Sequence, residues 1–192
     1  MPKPIWPALA VALIIAGCSK KFPETPLTEE ESSLKQMLST QNDHASRVQL
    51  GRLYFMHNRI DDADALLTEA VKENPQDMEA KAWLAANNCK IAGRAGPWLM
   101  GLDKLYGVWA CLSDLQAAAK AAPNDFTVAL IQINTDAEVN MFGSMGRAEQ
   151  TRDHLRKQIE AKPNFYPPSA KAAFVESSAR LDELRGKAST QP

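Results

Sequence analysis

Three cysteines, three histidines and a few clustered carboxylates are where any chemistry in this 192-residue chain would reside. His44, His57 and His154 stand far apart, without the one-turn spacing that lets two imidazoles share a metal. His57 falls at the end of a helical pattern, a place where an imidazole suits the capping of carbonyls. Asp61, Asp62 and Asp64 gather near a predicted helix start, where carboxylates complement the helix dipole. No phosphate-cradling glycine loop occurs, and no serine sits in a nucleophile elbow. These residue types predict no catalytic site, no metal and no cofactor.

Cys89 and Cys111 raise a question of geometry. A disulfide needs their Cα atoms within about 7 Å. If the turn between their helices centres near Gly101, the two face each other; if it centres near Ala95, they do not. Both can instead serve as small core residues, the commoner role of a buried cysteine. No Cys-x-x-Cys pair is present, which speaks against redox catalysis.

Cys18 differs because of what precedes it. Met1-Pro2-Lys3 carries one positive charge, and an apolar run from Ile5 to Gly17 follows. That run is shorter than the about 20 residues a bilayer crossing takes, and Pro7 interrupts it. A charged start, a short apolar centre and small residues at the end predict a signal peptide over residues 1–17. Ile15-Ala16-Gly17-Cys18 resembles the lipobox of bacterial lipoproteins. The resemblance implies that Cys18 is lipidated and becomes the first mature residue, with acyl chains such as palmitate as the membrane anchor. Each buried methylene adds about 0.8 kcal/mol, so two or three chains hold stably where one does not. In two-membrane lipoproteins an aspartate after the cysteine favours the inner membrane. Ser19 stands there, so the resemblance implies the outer membrane, facing the periplasm. Disulfides persist in such a compartment. Residues 18–31, including KKFPETPLTEEE, lack an apolar period and predict an extended tether.

The elements that carry these residues follow from composition and period. A net charge of −1 lacks the basic excess of nucleic-acid binders. Valine, isoleucine and threonine never alternate over a strand's length, whereas alanine, leucine and charged residues dominate, so the chain reads as all-α. Residues 32–188 suit one helical domain, and 189–192 a disordered tail.

Leu50, Gly51, Tyr54, Ala63, Leu67, Ala70 and Pro75 fall at spacings that resemble the tetratricopeptide repeat, a helix-turn-helix unit of about 34 residues. Arg47 replaces the tryptophan that opens the pattern. Small Gly51 and Ala63 predict close helix approach, Tyr54 and Leu67 fill the space between, and Asn58 to Asp61 form the inner turn. Pro75, Pro123 and Pro163 close three units. The second unit is longer, its additional residues falling in RAGPWLMGLDKLYGVW between its helices. Thr151 and Gln158 replace two small residues in the third. A final amphipathic stretch from Ser169 to Lys187 predicts a capping helix, completing an α-solenoid of about three units and seven or eight helices.

Tetratricopeptide arrays bind proteins or peptides along the surface of their first helices. That resemblance places Val48, Arg52, Phe55 and Met56 of unit one on the concave side, with Ala82, Ala86, Cys89 and Lys90 of unit two. Arginine, lysine, phenylalanine and methionine suit a groove gripping an apolar peptide and its acidic groups. Trp98, Leu102, Leu105, Tyr106, Trp109 and Leu112 recur at helical spacing and read as core packing in preference to a partner- or membrane-facing surface. The expected function is a non-enzymatic, membrane-anchored periplasmic scaffold for envelope proteins or peptides. The alternative is a solute-binding or transporter-associated lipoprotein with a small-molecule pocket under the Trp98–Trp109 insertion.

Overall fold

A computed structural model describes residues 26–94 and 101–189. Cys18, the signal segment, most of the tether, Trp98 and the last three residues lie outside them. The described chain is all-helical: α1 Glu29–Gln41, α2 His44–Met56, α3 Ile60–Glu73, α4 Met78–Arg94, α5 Leu102–Ala121, α6 Phe126–Val139, α7 Ser144–Ala161 and α8 Pro168–Ser189.

Local chemistry sets the boundaries. Residues 29–31, expected to be tether, are the first turn of α1. The reason is a capping box: Thr28 Oγ1 accepts from the Glu31 N–H at 3.2 Å, and Glu31 Oε2 accepts from the Thr28 N–H at 2.6 Å. Asp43 caps α2 through the Ser46 N–H, and Asp125 caps α6 through the Val128 N–H. Asn58, at φ +60°, turns the chain between α2 and α3. The helix after it already begins at Ile60, so Ile60 and Asp61 belong to α3 and not to the turn.

The helices pack mainly with their neighbours in sequence. α2 lies on α3, α4 on α5 and α6 on α7, while α4 also meets α3 and α6, and α8 covers α6. In the first hairpin, a Cβ placed on Gly51 would come within 2.8 Å of Leu67, so only glycine admits this approach without movement. Leu50, Tyr54, Ala63 and Leu67 fill the buried space there. Arg47, where the repeat pattern has tryptophan, is buried and donates to Glu73 and Asn42. A cation with partners at its tip takes the place of an aromatic ring. On α8, Phe174, Ser177 and Leu181 are buried on one face and charged residues lie outward.

The second hairpin absorbs its additional length differently from the expectation. α4 and α5 run 17 and 20 residues, against 13 and 14 for α2 and α3, so much of the insertion extends the helices.

Alternating helices give the domain two edges. At one, Glu31 near the start of α1 meets His57 at the end of α2 (2.9 Å), and Asp61 at the start of α3 pairs with Arg94 at the end of α4. Gly107 of early α5 packs on Ala92 of late α4, and Val139 at the end of α6 and Met141 just after it pack on the Cys89–Cys111 cluster. At the opposite edge the His44 ring bonds both Glu73, through Nδ1, and Asp77, through Nε2.

Candidate binding surface

The residues expected to face a partner divide sharply by environment. Val48 is buried with Ala70 and Ala80, and Ala82 and Ala86 are buried against Leu115 and Val128. These three are not open to a partner: Val48 of α2 is covered by α3 and α4, and α4 turns Ala82 and Ala86 into the core it shares with α5 and α6. Phe55 is half-buried, its ring 5.4 Å from that of Trp83. Met56 is exposed.

Lys90 is also spent within the fold. Its Nζ donates to the Phe55 carbonyl at 2.8 Å and to Asn58 Oδ1 at 3.0 Å, and lies 3.9 Å from the Phe55 ring centroid. Burial lowers its pKa, opposed by the Glu138 carboxylate. This lysine braces the α2–α3 turn and is not an open grip for acidic groups.

Arg52 remains. It lies on the helical face between Val48 and Phe55, which both meet Trp83 on α4. It is half-buried, its Nε is shielded from water without a hydrogen bond, and it has no ion pair among the described residues. Arg52, the Phe55 edge and Met56 are thus the accessible part of this surface. Trp83, which the repeat register does not single out, supplies its floor and donates its indole N–H to Glu79 at 3.2 Å.

Cys89 and Cys111 form a disulfide, with Cα atoms 5.3 Å apart. Of the turn positions considered above, this geometry matches the one near Gly101, which stands at φ +82° immediately before α5. His57 does not cap carbonyls with its ring; Nδ1 meets Glu31 Oε1 instead. Burial pushes the Glu31 carboxyl up, but the Thr28 N–H and His57 outweigh it and hold it low.

The aromatic stripe is not core. Leu102, Leu105, Tyr106 and Trp109 are 61, 41, 69 and 53 % exposed, and only Leu112 of its described members is buried. The buried face of α5 is instead Val108, Cys111, Leu112, Leu115 and Ala118, facing α4. The two stripes lie on different faces of one helix and share its period, and periodicity cannot tell which meets protein.

A cleft of about 310 Å³ lies elsewhere, where Ala122 and Pro123 face Gln132, Arg147, Thr151 and His154. Beside it Arg147 Nη2 donates to the buried Asp136 at 2.9 Å. Burial outweighs this partner and pushes the Asp136 carboxyl up to about 6. Among the described residues no group of three or more His, Cys, Asp or Glu side chains is placed to hold a metal, and no helix is long and apolar enough to cross a membrane. No protein-family model, curated protein or solved structure matches the chain.

Proposed function

We propose that the chain is a lipid-anchored periplasmic scaffold, built as a tetratricopeptide-like solenoid, that holds an acidic and apolar segment of an envelope protein against α2 and α4. The observation that carries this is Arg52: a half-buried guanidinium without an ion pair among the described residues, set between apolar residues on an accessible face. A buried charge is costly when unmatched, and a carboxylate from a partner would match it with bidentate geometry. Met56 and the Phe55 edge supply adaptable apolar contact beside it.

The test is in-cell crosslinking of the full-length protein beside an Arg52→Glu, Met56→Ala double variant. Phe55 is left intact because it packs on Trp83. A discrete crosslinked protein that disappears in a variant of unchanged melting temperature supports the scaffold. Crosslinks that are absent or unaltered remove Arg52 from any binding role. The second reading, a solute-binding protein, draws on the largely apolar cleft and the few polar side chains that line it, Arg147 and His154 among them, not on a pocket under the α5 stripe.

A further inference from the structure

Ten large apolar side chains are exposed among the described residues, and their distribution is uneven. Leu27, just before α1, lies at the edge where α1 starts. So do Leu102, Leu105, Tyr106 and Trp109 in the first turns of α5, and Phe142 after α6. Met56, a seventh, reaches the same edge from the end of α2. The opposite edge carries the His44, Glu73 and Asp77 cluster and, among these ten, Phe165 after α7.

Phe142 adds a second kind of observation. It holds φ +52°, a backbone conformation that a bulky residue rarely adopts, and it is 50 % exposed there. The turn is fastened around it. Ser144 Oγ donates to the Asp136 carbonyl at 2.6 Å and accepts from the Met141 N–H at 3.1 Å. Arg147 donates to the Phe142 carbonyl itself at 2.9 Å. The preceding Met141 packs on the disulfide cluster that also contains Val108. The turn therefore offers an aromatic ring to solvent close to the exposed face of α5.

The chain's own path identifies what lies opposite. The described chain enters at this edge at Pro26, and Cys18 is only eight residues earlier. Eight residues span at most about 28 Å when fully extended. A lipid on Cys18 thus keeps this edge, more than the other, near the bilayer surface.

We propose that this edge is an interfacial membrane contact: with Cys18 acylated, the start of α5 and Phe142 lie in the headgroup region and orient the helical domain against the membrane. The inference rests on the lipid anchor of the preceding reading. Tryptophan, tyrosine, phenylalanine and leucine are the side chains that partition there, their apolar parts reaching about 5–10 Å inward. The contact needs little affinity of its own, because the tether converts it into an intramolecular event at high effective concentration. Asp103 and Lys104 offset each other within the patch, so zwitterionic lipid suffices.

The experiment uses the full-length protein, purified from envelopes and reconstituted in phosphatidylcholine vesicles with or without brominated acyl chains. Mass measurement of the Cys18 peptide accompanies it. Trp109 emission is isolated by difference against Trp109→Phe, an exposed and conservative change. The expected result is that brominated lipid removes at least half of the Trp109 signal, and that Leu105→Glu with Tyr106→Glu restores most of it. Equal Trp109 signals in both vesicles, on protein whose Cys18 carries its lipid, overturn the membrane contact and leave the anchor standing. Protection of Trp109 from iodide that grows with protein concentration in detergent also overturns it, showing a second copy on this face. An unmodified Cys18 overturns the anchor, and the membrane contact with it.

Discussion

The hairpins α2–α3 and α4–α5 share one plan and solve it by different means. The first is short and closes by contact: Gly51 lets Leu67 in, and Arg47 ties its far end to Glu73. The second is longer, with two extended helices, a covalent link between Cys89 and Cys111, and an outer stripe that nothing in the described chain covers. Added helix length creates faces that a neighbour must bury or a solvent must accept. The disulfide secures the inner face of α5 without requiring the outer face to pack.

The largest effect expected from breaking this contrast is loss of the disulfide. The bond closes a separation of 22 residues, for which chain entropy predicts stabilisation of about 3 kcal/mol. Cys89→Ala with Cys111→Ala, or reduction of the native protein, should lower urea-unfolding stability by about that amount. Amide exchange should quicken first in α4 and α5, while α2–α3 stays protected.

Next comes Asp136, whose environment adjoins the second hairpin through Met141. Its carboxyl sits at about 6, above the ordinary value of 3.8, because burial disfavours the anion. Between those values the folded state binds more protons than the unfolded state, so stability falls as pH rises from about 4 to 6 and is level beyond. The full span corresponds to about 3 kcal/mol. His44 acts in the same direction but in a later window. Asp77 chiefly, with Glu73, raises its pKa above 6.5, so its stabilisation is complete below 6.5 and fades as pH climbs through the raised value. Stability curves of Asp136→Asn and His44→Gln should therefore flatten in separate windows, the first assigned to α6–α7 and the second to α2–α3.

How far these features were legible in sequence depends on whether chemistry or mere period carries them. The first hairpin's packing was legible because Gly51, Tyr54, Ala63 and Leu67 fall at spacings that resemble the tetratricopeptide repeat, with small residues where the helices approach and large ones between. The bounds of α1 were missed because KKFPETPLTEEE reads as polar, yet Thr28 and Glu31 are three apart and form a capping box. Lys90 was misassigned because sequence shows a charge and not its partners; Phe55 and Asn58 are more than thirty residues away. The exposed α5 stripe was invisible for a deeper reason. Leu102, Leu105 and Leu112 are the same residue type at the same helical spacing, and only the position of α4 separates outside from inside.

A smaller effect compares the two glycines. A methyl at Gly51 would stand 2.8 Å from Leu67 and force it to move, which costs about 2 kcal/mol in a filled core, less the roughly 1 kcal/mol alanine returns in a helix. At Gly107 the nearest neighbour is the Ala92 methyl at 3.0 Å, a slightly looser contact, so the small shift it needs is offset by the helix propensity that alanine returns. Urea unfolding of Gly51→Ala and Gly107→Ala should show a loss of about 1 kcal/mol at the first and little change at the second. Equal losses would mean that the second hairpin is as tightly closed as the first.

The smallest expected change is the most informative about the outer stripe. Leu105→Ser removes an apolar side chain that the fold only partly covers, so its stability should stay within about 0.5 kcal/mol of the original. The same exchange at buried Leu67 would open a cavity in the first hairpin and expose that region to unfolding. A neutral result at Leu105 means that leucine there contributes little to holding the domain together, and its apolar surface is available to something outside the chain. A loss approaching that of a core leucine would mean that residues of the α4–α5 connection cover the stripe, and the edge of the domain would then be closed.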